Sequence, residues 1–291
     1  MKIAVHGMST GSEAQACISD ILSLLNTYAS EALISENYQA ALREKNFSTG
    51  NMYTFKKGDD LSGFDFILSL GGDGTILDTI TYSNKSEVPI VGINLGRLGF
   101  LSTTPRNRIE ETFERLAEKK FNIESRSLLH IASNHGLFQP YHFGLNEMTI
   151  VKKETSSMIV VHAYVNGDYL NSYWADGLIV STPTGSTGYS LSCGGPLVHP
   201  DMKNFILTPV SPHNLNVRPI ILSDQCEITF EIEGRSRQFM VSLDSRSESV
   251  DDSVEISVKR ETFEAKLVSF PNRTYYDTLR QKLNWGLDAR N

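Results

Sequence analysis

The segment LSLGGDGTILD, residues 68–78, places three glycines and one aspartate between an apolar run and a helix-like segment. The run FDFILSL predicts a buried strand, and TILDTITYS predicts a helix. Glycines at such a turn let the backbone approach a ligand closely, and phosphate is the usual ligand at a helix N-terminus. A carboxylate beside a phosphate is unfavourable, because two like charges about 4 Å apart repel by roughly 4 kcal/mol at an effective dielectric constant near 20. Asp73 is therefore expected either to bind Mg²⁺ or to take a proton from an attacking hydroxyl group.

The first hundred residues have the pattern of an α/β domain. Short apolar runs at 2–6, 64–70 and 88–93 alternate with helix-like segments, which predicts a parallel, doubly wound sheet. Ligands of such sheets bind at the carboxyl ends of the strands. The glycine loop at 71–74 and a second glycine-rich loop, NLGRLGFLS at 94–102, both follow strands. We expect a Rossmann-like α/β domain with its ligand site at these loops.

The second half of the chain is rich in β-strand patterns. Asn166-Gly167 is a strong hairpin signal, and short β-rich runs with polar turns follow it. This pattern predicts a mostly antiparallel domain, a β-sandwich. The tail RTYYDTLRQKLNWG predicts a helix that ends at Gly286 and packs back on the first domain. The expected domains are residues 1–104, joined by a C-terminal helix at 274–291, and residues 105–273.

A second segment of chemical interest is DGLIVSTPTGSTGYS at 176–190, where an apolar strand runs into hydroxyl groups and glycines. Such groups suit sugar hydroxyls, phosphates and base edges, and Tyr189 offers a ring face for stacking. A Ser/Thr/Gly-rich linker is the alternative, but the preceding strand and the aromatic residue favour an ordered loop. Asn146-Glu147 could bind ribose hydroxyls or an exocyclic amine, although a solvated turn is the better explanation of these two residues alone.

The composition argues against several classes of protein. A net charge of −7 disfavours a general binder of nucleic acid or of anionic membranes. No apolar run approaches the ~20 residues that span a bilayer, and the N-terminus lacks the pattern of a signal peptide. Cys17, Cys193 and Cys226 are widely spaced and odd in number, which is typical of reduced thiols. We expect a cytoplasmic protein with no nucleic-acid or membrane partner.

Taken together, these motifs resemble the NAD kinase family. The similarity covers nearly the whole chain, and its most specific part is the segment at 176–196. It also includes GGDGT at 71–75, Asn146-Glu147, LGFL at 98–101, SPHNLNVRP at 211–219 and LRQKLNWG at 279–286. Three positions depart from the family pattern. Gly188 stands where alanine is usual, Trp174 where some members have arginine, and Arg246 where some have glutamine.

The resemblance implies transfer of a phosphoryl group from ATP or polyphosphate to the 2′-hydroxyl group of the adenosine ribose of NAD, giving NADP. Asp73 would contact that hydroxyl group and take its proton. Mg²⁺ or another divalent cation would be held by the donor phosphates and not directly by the chain. The residues implied in binding the donor phosphates are Gly71, Gly72, Gly74 and Thr75. Those implied in binding NAD are Asp73, Gly74, Asn146, Glu147, Trp174, Asp176, Thr187, Gly188, Tyr189, Ser190, Leu191, Ser192 and Arg246.

The resemblance also implies a homodimer or homotetramer, and some roles stay open. Phe100 could stack on a base or could be a core residue, and the sequence favours neither role over the other. The histidines show no spacing typical of a metal site. A lipid kinase that shares the GGDGT loop is one alternative function, although this acidic chain shows no membrane-seeking surface. A dinucleotide sensor without turnover is another, although a pure binder gains nothing from the charge of Asp73.

Overall fold

The computed structural model describes residues 1–50, 52–96, 99–102, 104–153, 158–235, 237–271 and 274–284. The chain divides into two compact units, Met1–Ser125 with Ala265–Asn291 and Arg126–Glu264. The sequence predicts domain boundaries at 104/105 and 273/274, and these boundaries stay predictions. The expected helix end at Gly286 lies outside the described residues. In the described part of the chain, no helix is both long enough and apolar enough to cross a membrane.

The elements below keep one numbering along the chain. The strands are β1 (Lys2–Gly7), β2 (Glu31–Ser35), β3 (Tyr53–Phe55), β4 (Phe66–Gly71), β5 (Ile90–Asn94), β6 (Thr104–Pro105), β7 (Asn122–Ser133), β8 (Phe143–Gly144), β9 (Glu147–Lys152), β10 (Ile159–Val165), β11 (Asp168–Ala175), β12 (Gly177–Ser181), β13 (Asn204–Val210), β14 (Ile220–Ser223), β15 (Ile228–Gly234), β16 (Gln238–Leu243), β17 (Arg246–Asp251) and β18 (Ile256–Ser269). The helices are α1 (Ser12–Tyr28), α2 (Glu36–Glu44), α3 (Asp73–Ser83), α4 (Ile109–Ala117), α5 (Tyr189–Ser192) and α6 (Tyr275–Leu283), with short 3₁₀ turns at Asn84–Ser86, Arg106–Arg108 and Thr184–Thr187.

The first unit contains the predicted parallel sheet, in the strand order β5-β4-β1-β2-β3. Its interior strand β4, FILSLG, lies between β5 and β1 and is buried at every residue, as expected for a strand covered on both faces. The chain moves from β1 to β2 and β3 in one direction and then returns to place β4 on the other side of β1. Strand order therefore reverses beside β4, and the carboxyl end of β4, where the glycine loop begins, lies at the usual ligand position of such a sheet.

Helix α6 belongs to the first unit, which confirms that the C-terminal helix packs back on the α/β domain. It begins with a capping box, in which Thr274 and Asp277 satisfy each other's backbone N–H groups. In the last turn of α6, Lys282 Nζ lies 5.7 Å from the centroid of the Phe100 ring. Phe100 itself is half-buried.

The second unit is a sandwich of two sheets, as predicted. One sheet has the order β14-β13-β12-β9-β16-β17, and the other includes β11-β10-β15-β18. All of these pairings are antiparallel. Phe205, Phe230 and Phe239 come from both sheets and share one buried apolar core. Asn166 and Gly167 connect β10 to β11 with positive φ angles of 51° and 87°, the backbone that favours this dipeptide in a two-residue hairpin.

Candidate active-site residues

The glycine loop of the first unit joins β4 to α3. A Cβ atom at Gly71 would lie 2.1 Å from Thr75 Oγ1, so the packing of the loop itself requires glycine there. A Cβ atom at Gly72 or Gly74 would meet nothing within 4 Å. Because the protein's own packing does not require these two glycines, the space beside them is available to a ligand. That space lies at the N-terminus of α3, where the helix favours a bound anion.

Asp73 joins the two glycine-rich loops of this unit. Its Oδ2 accepts the Phe100 N–H at 2.7 Å, and its Oδ1 accepts the N–H groups of Leu101 at 3.0 Å and Ser102 at 2.9 Å. A Cβ atom at Gly99 would lie 1.8 Å from Oδ1, so a side chain there would displace the carboxylate or the loop. The sequence predicts Asp73 as a metal ligand or a base. It does not predict that the same carboxylate holds the loop at 100–102.

A second acidic group, Asp78, fixes α3 one turn after the glycine loop. Asp78 Oδ1 lies 2.6 Å from Lys57 Nζ, and Oδ2 lies 2.9 Å from Nε2 of the buried His6 on β1. Burial alone would raise the pKa of Asp78, but hydrogen bonds with His6 and Lys57 outweigh burial and lower the pKa to about 2. Asp78 is therefore ionised at neutral pH and ties α3 to the neighbouring strand. No motif in the sequence identifies this group of residues.

In the second unit, the structure brings Asn146-Glu147 and the segment at 176–190 together. β9 and β12 pair so that Glu147 lies opposite Ser181. Thr182 donates its backbone N–H to Asn146 O at 2.9 Å and its hydroxyl group to Leu145 O at 2.5 Å. A Cβ atom at Gly185 would lie 2.1 Å from Asn146 O, so only glycine allows this approach of two backbones. The segment is thus a strand and an ordered turn, and not a flexible linker.

Asp244, in the turn between β16 and β17, orders the backbone of the Asn146-Glu147 pair. Its Oδ2 accepts the Leu145 N–H at 2.8 Å, and its Oδ1 accepts the N–H groups of Asn146 at 2.9 Å and Glu147 at 3.1 Å. Burial raises the pKa of Asp244 above its ordinary value, whereas the three N–H donors and the charge of Arg246 act to lower it. Sequence reasoning missed Asp244, although it singled out Arg246 two residues later, because the backbone that Asp244 binds is distant in the chain.

Glu147 is held in an unusual electrostatic environment. Its Oε2 is buried and has no hydrogen-bond partner among the residues that the structure describes. Burial raises the pKa of Glu147 to about 7, the Asp244 charge adds to this shift, and the Tyr189 backbone N–H opposes it. A Cβ atom at Gly188 would lie 2.7 Å from Oε2. Glycine at position 188 thus leaves room beside the Glu147 carboxyl group that an alanine methyl group would take.

Other residues predicted to bind NAD lie at or near the surface of the second unit. Tyr189 is 42% exposed and Trp174 is 52% exposed, so both rings are accessible for stacking. Asp176 Oδ1 lies 2.6 Å from Lys152 Nζ. A hydrogen-bond donor on the ligand would therefore share the Asp176 carboxylate with Lys152. Thr187 and Leu191 are half-buried, and Ser192 is exposed.

Two residues predicted to bind NAD have clear structural partners instead. Ser190 is fully buried, and its hydroxyl oxygen lies 2.8 Å from Thr208 Oγ1. The Arg246 guanidinium donates to the carbonyl oxygens of Tyr141 and Phe143 and lies over the Phe138 ring. These contacts account for both side chains without a ligand, and their roles in binding stay predictions.

Family comparisons match both halves of the chain. The ATP-NAD kinase N-terminal domain matches residues 14–121, and the ATP-NAD kinase C-terminal domain matches residues 145–270. The NAD kinase of Cytophaga hutchinsonii is 49% identical over 292 residues, and that of Flavobacterium johnsoniae is 42% identical over 294 residues. Each of these alignments covers all of both chains.

Solved structures show the same fold. A yeast NADH kinase complexed with NADH superposes with a TM-score of 0.86 at 19% identity, over 99% of this chain and 89% of the other. An NAD kinase from Archaeoglobus fulgidus in complex with ATP superposes with a TM-score of 0.69 at 28% identity, over 98% and 99% of the two chains. The first of these likenesses is informative about the fold alone, because its sequence identity is low.

Proposed function

The chain belongs to the NAD kinase family and phosphorylates NAD to NADP, and we propose that ATP donates the phosphoryl group to the 2′-hydroxyl group of the adenosine ribose. The observation that carries this assignment of roles is the open space at Gly72 and Gly74, at the N-terminus of α3. Glycines that local packing does not require, at a helix N-terminus, fit the close approach of donor phosphates. Gly71 and Thr75 then shape the loop by their mutual contact.

Asp73 acts on the acceptor hydroxyl group in this proposal. A carboxylate offers about four lone-pair positions, and three of those on Asp73 accept backbone N–H groups. The remaining position is on Oδ2, which can orient the 2′-hydroxyl group and take its proton as the phosphorus–oxygen bond forms. The three N–H donors hold the carboxylate in one orientation, so positioning of the hydroxyl group is the larger part of its role.

A divalent cation, Mg²⁺ or another, completes the donor in this proposal. The glycine loop offers such an ion little, because the Asp73 carboxylate is already committed to three N–H donors. We therefore place the ion on the donor phosphates. When bound there, it neutralises charge that develops on the transferring group.

The second unit binds NAD in this proposal. Asn146 and Glu147 are held rigidly by Asp244 and by the Thr182 contacts, which suits residues that must select ribose hydroxyls and a base edge. The exposed rings of Tyr189 and Trp174 offer stacking faces. Asp176, Thr187 and Ser192 would add polar contacts.

We also propose a cytoplasmic homodimer or homotetramer. All three cysteines are free thiols, as expected in a reducing compartment. Met202, Leu215 and Ile221 of the second unit are exposed apolar side chains that a contact between copies could cover. Light scattering on the purified protein would measure the number of chains per particle, and a monomer would contradict the proposed assembly.

The test of function uses the purified protein with NAD, Mg²⁺ and ATP, and an NADP-specific dehydrogenase to detect the product. Parallel reactions contain polyphosphate in place of ATP, or no donor. We expect donor-dependent NADP formation. We also expect Gly72→Ala and Gly74→Ala to raise the KM for ATP about tenfold or more, since each methyl group takes space proposed for phosphate. Gly63→Ala is the matched control, because a Cβ atom there also meets nothing within 4 Å.

Each alternative function has its own outcome in this experiment. NAD binding without product from any donor would favour a sensor, and phosphorylation of lipid in vesicles would favour a lipid kinase. Normal KM values for ATP in both glycine variants would show that the donor phosphates lie elsewhere, even if NADP is formed.

A further inference from the structure

Three side chains of the second unit that sequence spacing does not connect lie together in space. His130 is on β7, His142 immediately precedes β8, and Glu261 is on β18. One ligand atom from each of the three residues lies within 4.8 Å of those from the other two. We propose that His130, His142 and Glu261 form a binding site for a divalent transition-metal ion, with zinc as the best match.

Strand pairing holds these residues in place. β7 pairs with both β8 and β18, and His130 lies opposite Phe143, the neighbour of His142. The two imidazole rings are 4.3 Å apart between centroids and tilted by 70°, so they meet edge to face. The backbone of the paired strands fixes the positions of these three residues. An ion that binds them therefore has little ordering to do.

The Glu261 carboxylate is oriented by a neighbour. Its Oε1 accepts the Thr262 N–H at 2.7 Å and the Thr262 hydroxyl group at 3.0 Å. Its Oε2 faces His130 Nδ1 at 2.9 Å. Glu261 is only 8% exposed, and this arrangement leaves Oε2 directed at the two histidines. Hydrogen bonds that orient a ligating carboxylate in this way are typical of metal sites.

The donor set favours zinc over the cation of the kinase reaction. Two imidazole nitrogens and one carboxylate oxygen, with a fourth position for water, form a common zinc set. Mg²⁺ prefers oxygen ligands only and keeps much of its water. Around zinc, ligand atoms stand about 3.3 Å apart, given bonds of about 2.0–2.1 Å in a tetrahedron. Side-chain rotation can bring the three atoms from within 4.8 Å to that spacing.

A zinc ion would replace the hydrogen bond between His130 and Glu261 and link β7, the start of β8 and β18. Its expected effect is to stabilise the β-rich unit, separately from the metal that accompanies ATP.

The test measures zinc binding directly, in the absence of nucleotide. The protein is stripped with a chelator, desalted and titrated with Zn²⁺ by calorimetry, and elemental analysis then gives the number of ions per chain. We expect one tight site, at least a 100-fold weaker affinity in His142→Ala and Glu261→Gln, and no competition from Mg²⁺. His162→Ala is the matched control, since His162 lies on β10 of the same unit and contacts Ser172.

Thermal unfolding provides a second readout. Zinc should raise the Tm of the wild-type protein and of His162→Ala, and should leave the Tm of His142→Ala unchanged. If Glu261→Gln fails to fold, the half-buried His142 still provides the comparison. The proposal is overturned if the wild-type protein binds no zinc, or if His142→Ala binds zinc as tightly as the wild type does.

Discussion

Asp73 and Asp244 perform the same structural task in separate units of the chain. Each carboxylate accepts three consecutive backbone N–H groups, those of residues 100–102 and 145–147 respectively. Each of these loops is preceded by a glycine, Gly99 or Gly144, whose Cβ atom would crowd the same aspartate. One arrangement of an aspartate, a glycine and three N–H groups thus orders a loop in both units.

The two aspartates differ in their surroundings. Asp73 is the first residue of α3, where the helix N-terminus stabilises a carboxylate and its glycine neighbours leave open space. Asp244 lies in a tight turn with a positive φ of 52°, and burial raises its pKa. The first site combines loop ordering with access for a ligand. The second provides mainly rigidity for Asn146 and Glu147, so the two should respond differently to substitution.

The largest expected effect is the loss of stability in Asp244→Ala. Removal of the carboxylate leaves three part-buried N–H groups without their acceptor, and we expect the free energy of unfolding to fall by about 3–5 kcal/mol. Urea unfolding followed by circular dichroism measures this change. Asp251→Ala is the control, because Asp251 is an exposed aspartate of the same unit that accepts from Ser253, and its loss should cost less than about 1 kcal/mol.

The difference between the sites would disappear if Asp73→Ala were as destabilising as Asp244→Ala. We expect a smaller loss at Asp73, since its neighbours Gly72 and Gly74 are exposed and water can replace the carboxylate at the half-buried Phe100 and Leu101, although Ser102 is buried. Equal losses would mean that burial does not separate the two aspartates.

The next effect is catalytic, and it concerns Asp73→Asn. We expect turnover to fall about 10²-fold or more, equivalent to about 2.7 kcal/mol in the barrier, because the amide can neither take the hydroxyl proton nor accept all three N–H groups. Steady-state NADP formation measures the change, with circular dichroism to confirm folding.

Gly99→Ala separates the two contributions of Asp73. It keeps the carboxylate but crowds Oδ1 and disturbs the loop. If loop ordering were the whole role of Asp73, Gly99→Ala would reduce turnover as much as Asp73→Asn does. We expect a smaller loss, since the carboxylate can still act on the hydroxyl group.

The sequence predicts one of these aspartates and misses the other for a physical reason. Strand periodicity and the glycines around Asp73 mark a strand-to-helix turn, and the Asn-Gly pair marks a hairpin. These are local patterns, and the structure confirms both elements. The N–H groups that Asp73 binds lie 27 to 29 residues away, and those that Asp244 binds lie 97 to 99 residues away. A contact from a side chain to a distant backbone leaves no periodic pattern in the sequence.

The sequence also does not predict how the fold changes the charge state and the ion pairs of its side chains. The sequence suggests that Glu147 could bind a ligand, but its elevated pKa depends on burial and on Asp244, which are known only from the folded chain. The pairing of Lys152 with Asp176 and the contact of His6 with Asp78 also join residues that are distant in the sequence. Composition and spacing predict which groups are present. They do not predict which groups meet.

The smallest expected effect tests the charge that Asp244 imposes on its neighbour. The pKa of Glu147 is raised from 4.5 to about 7 in the folded state, so between these values the unfolded chain loses its proton first. The stability that this group contributes is present below pH 4.5 and is lost as the pH rises through 7. Glu147→Gln imitates the protonated form. It should leave Tm unchanged near pH 4.5 and raise it by a few degrees at pH 8, where the wild-type carboxylate is both charged and buried.

Glu233→Gln is the control for this last measurement, because Glu233 belongs to the same unit and its side chain is 73% exposed. Its Tm should differ from the wild-type value by the same small amount at both pH values. A Tm gain for Glu147→Gln that does not change between pH 4.5 and pH 8 would mean that the carboxyl group titrates normally. Asp244 would then order the backbone of residues 145–147 without acting on the charge of Glu147, and the two aspartates would differ only in their access to ligand.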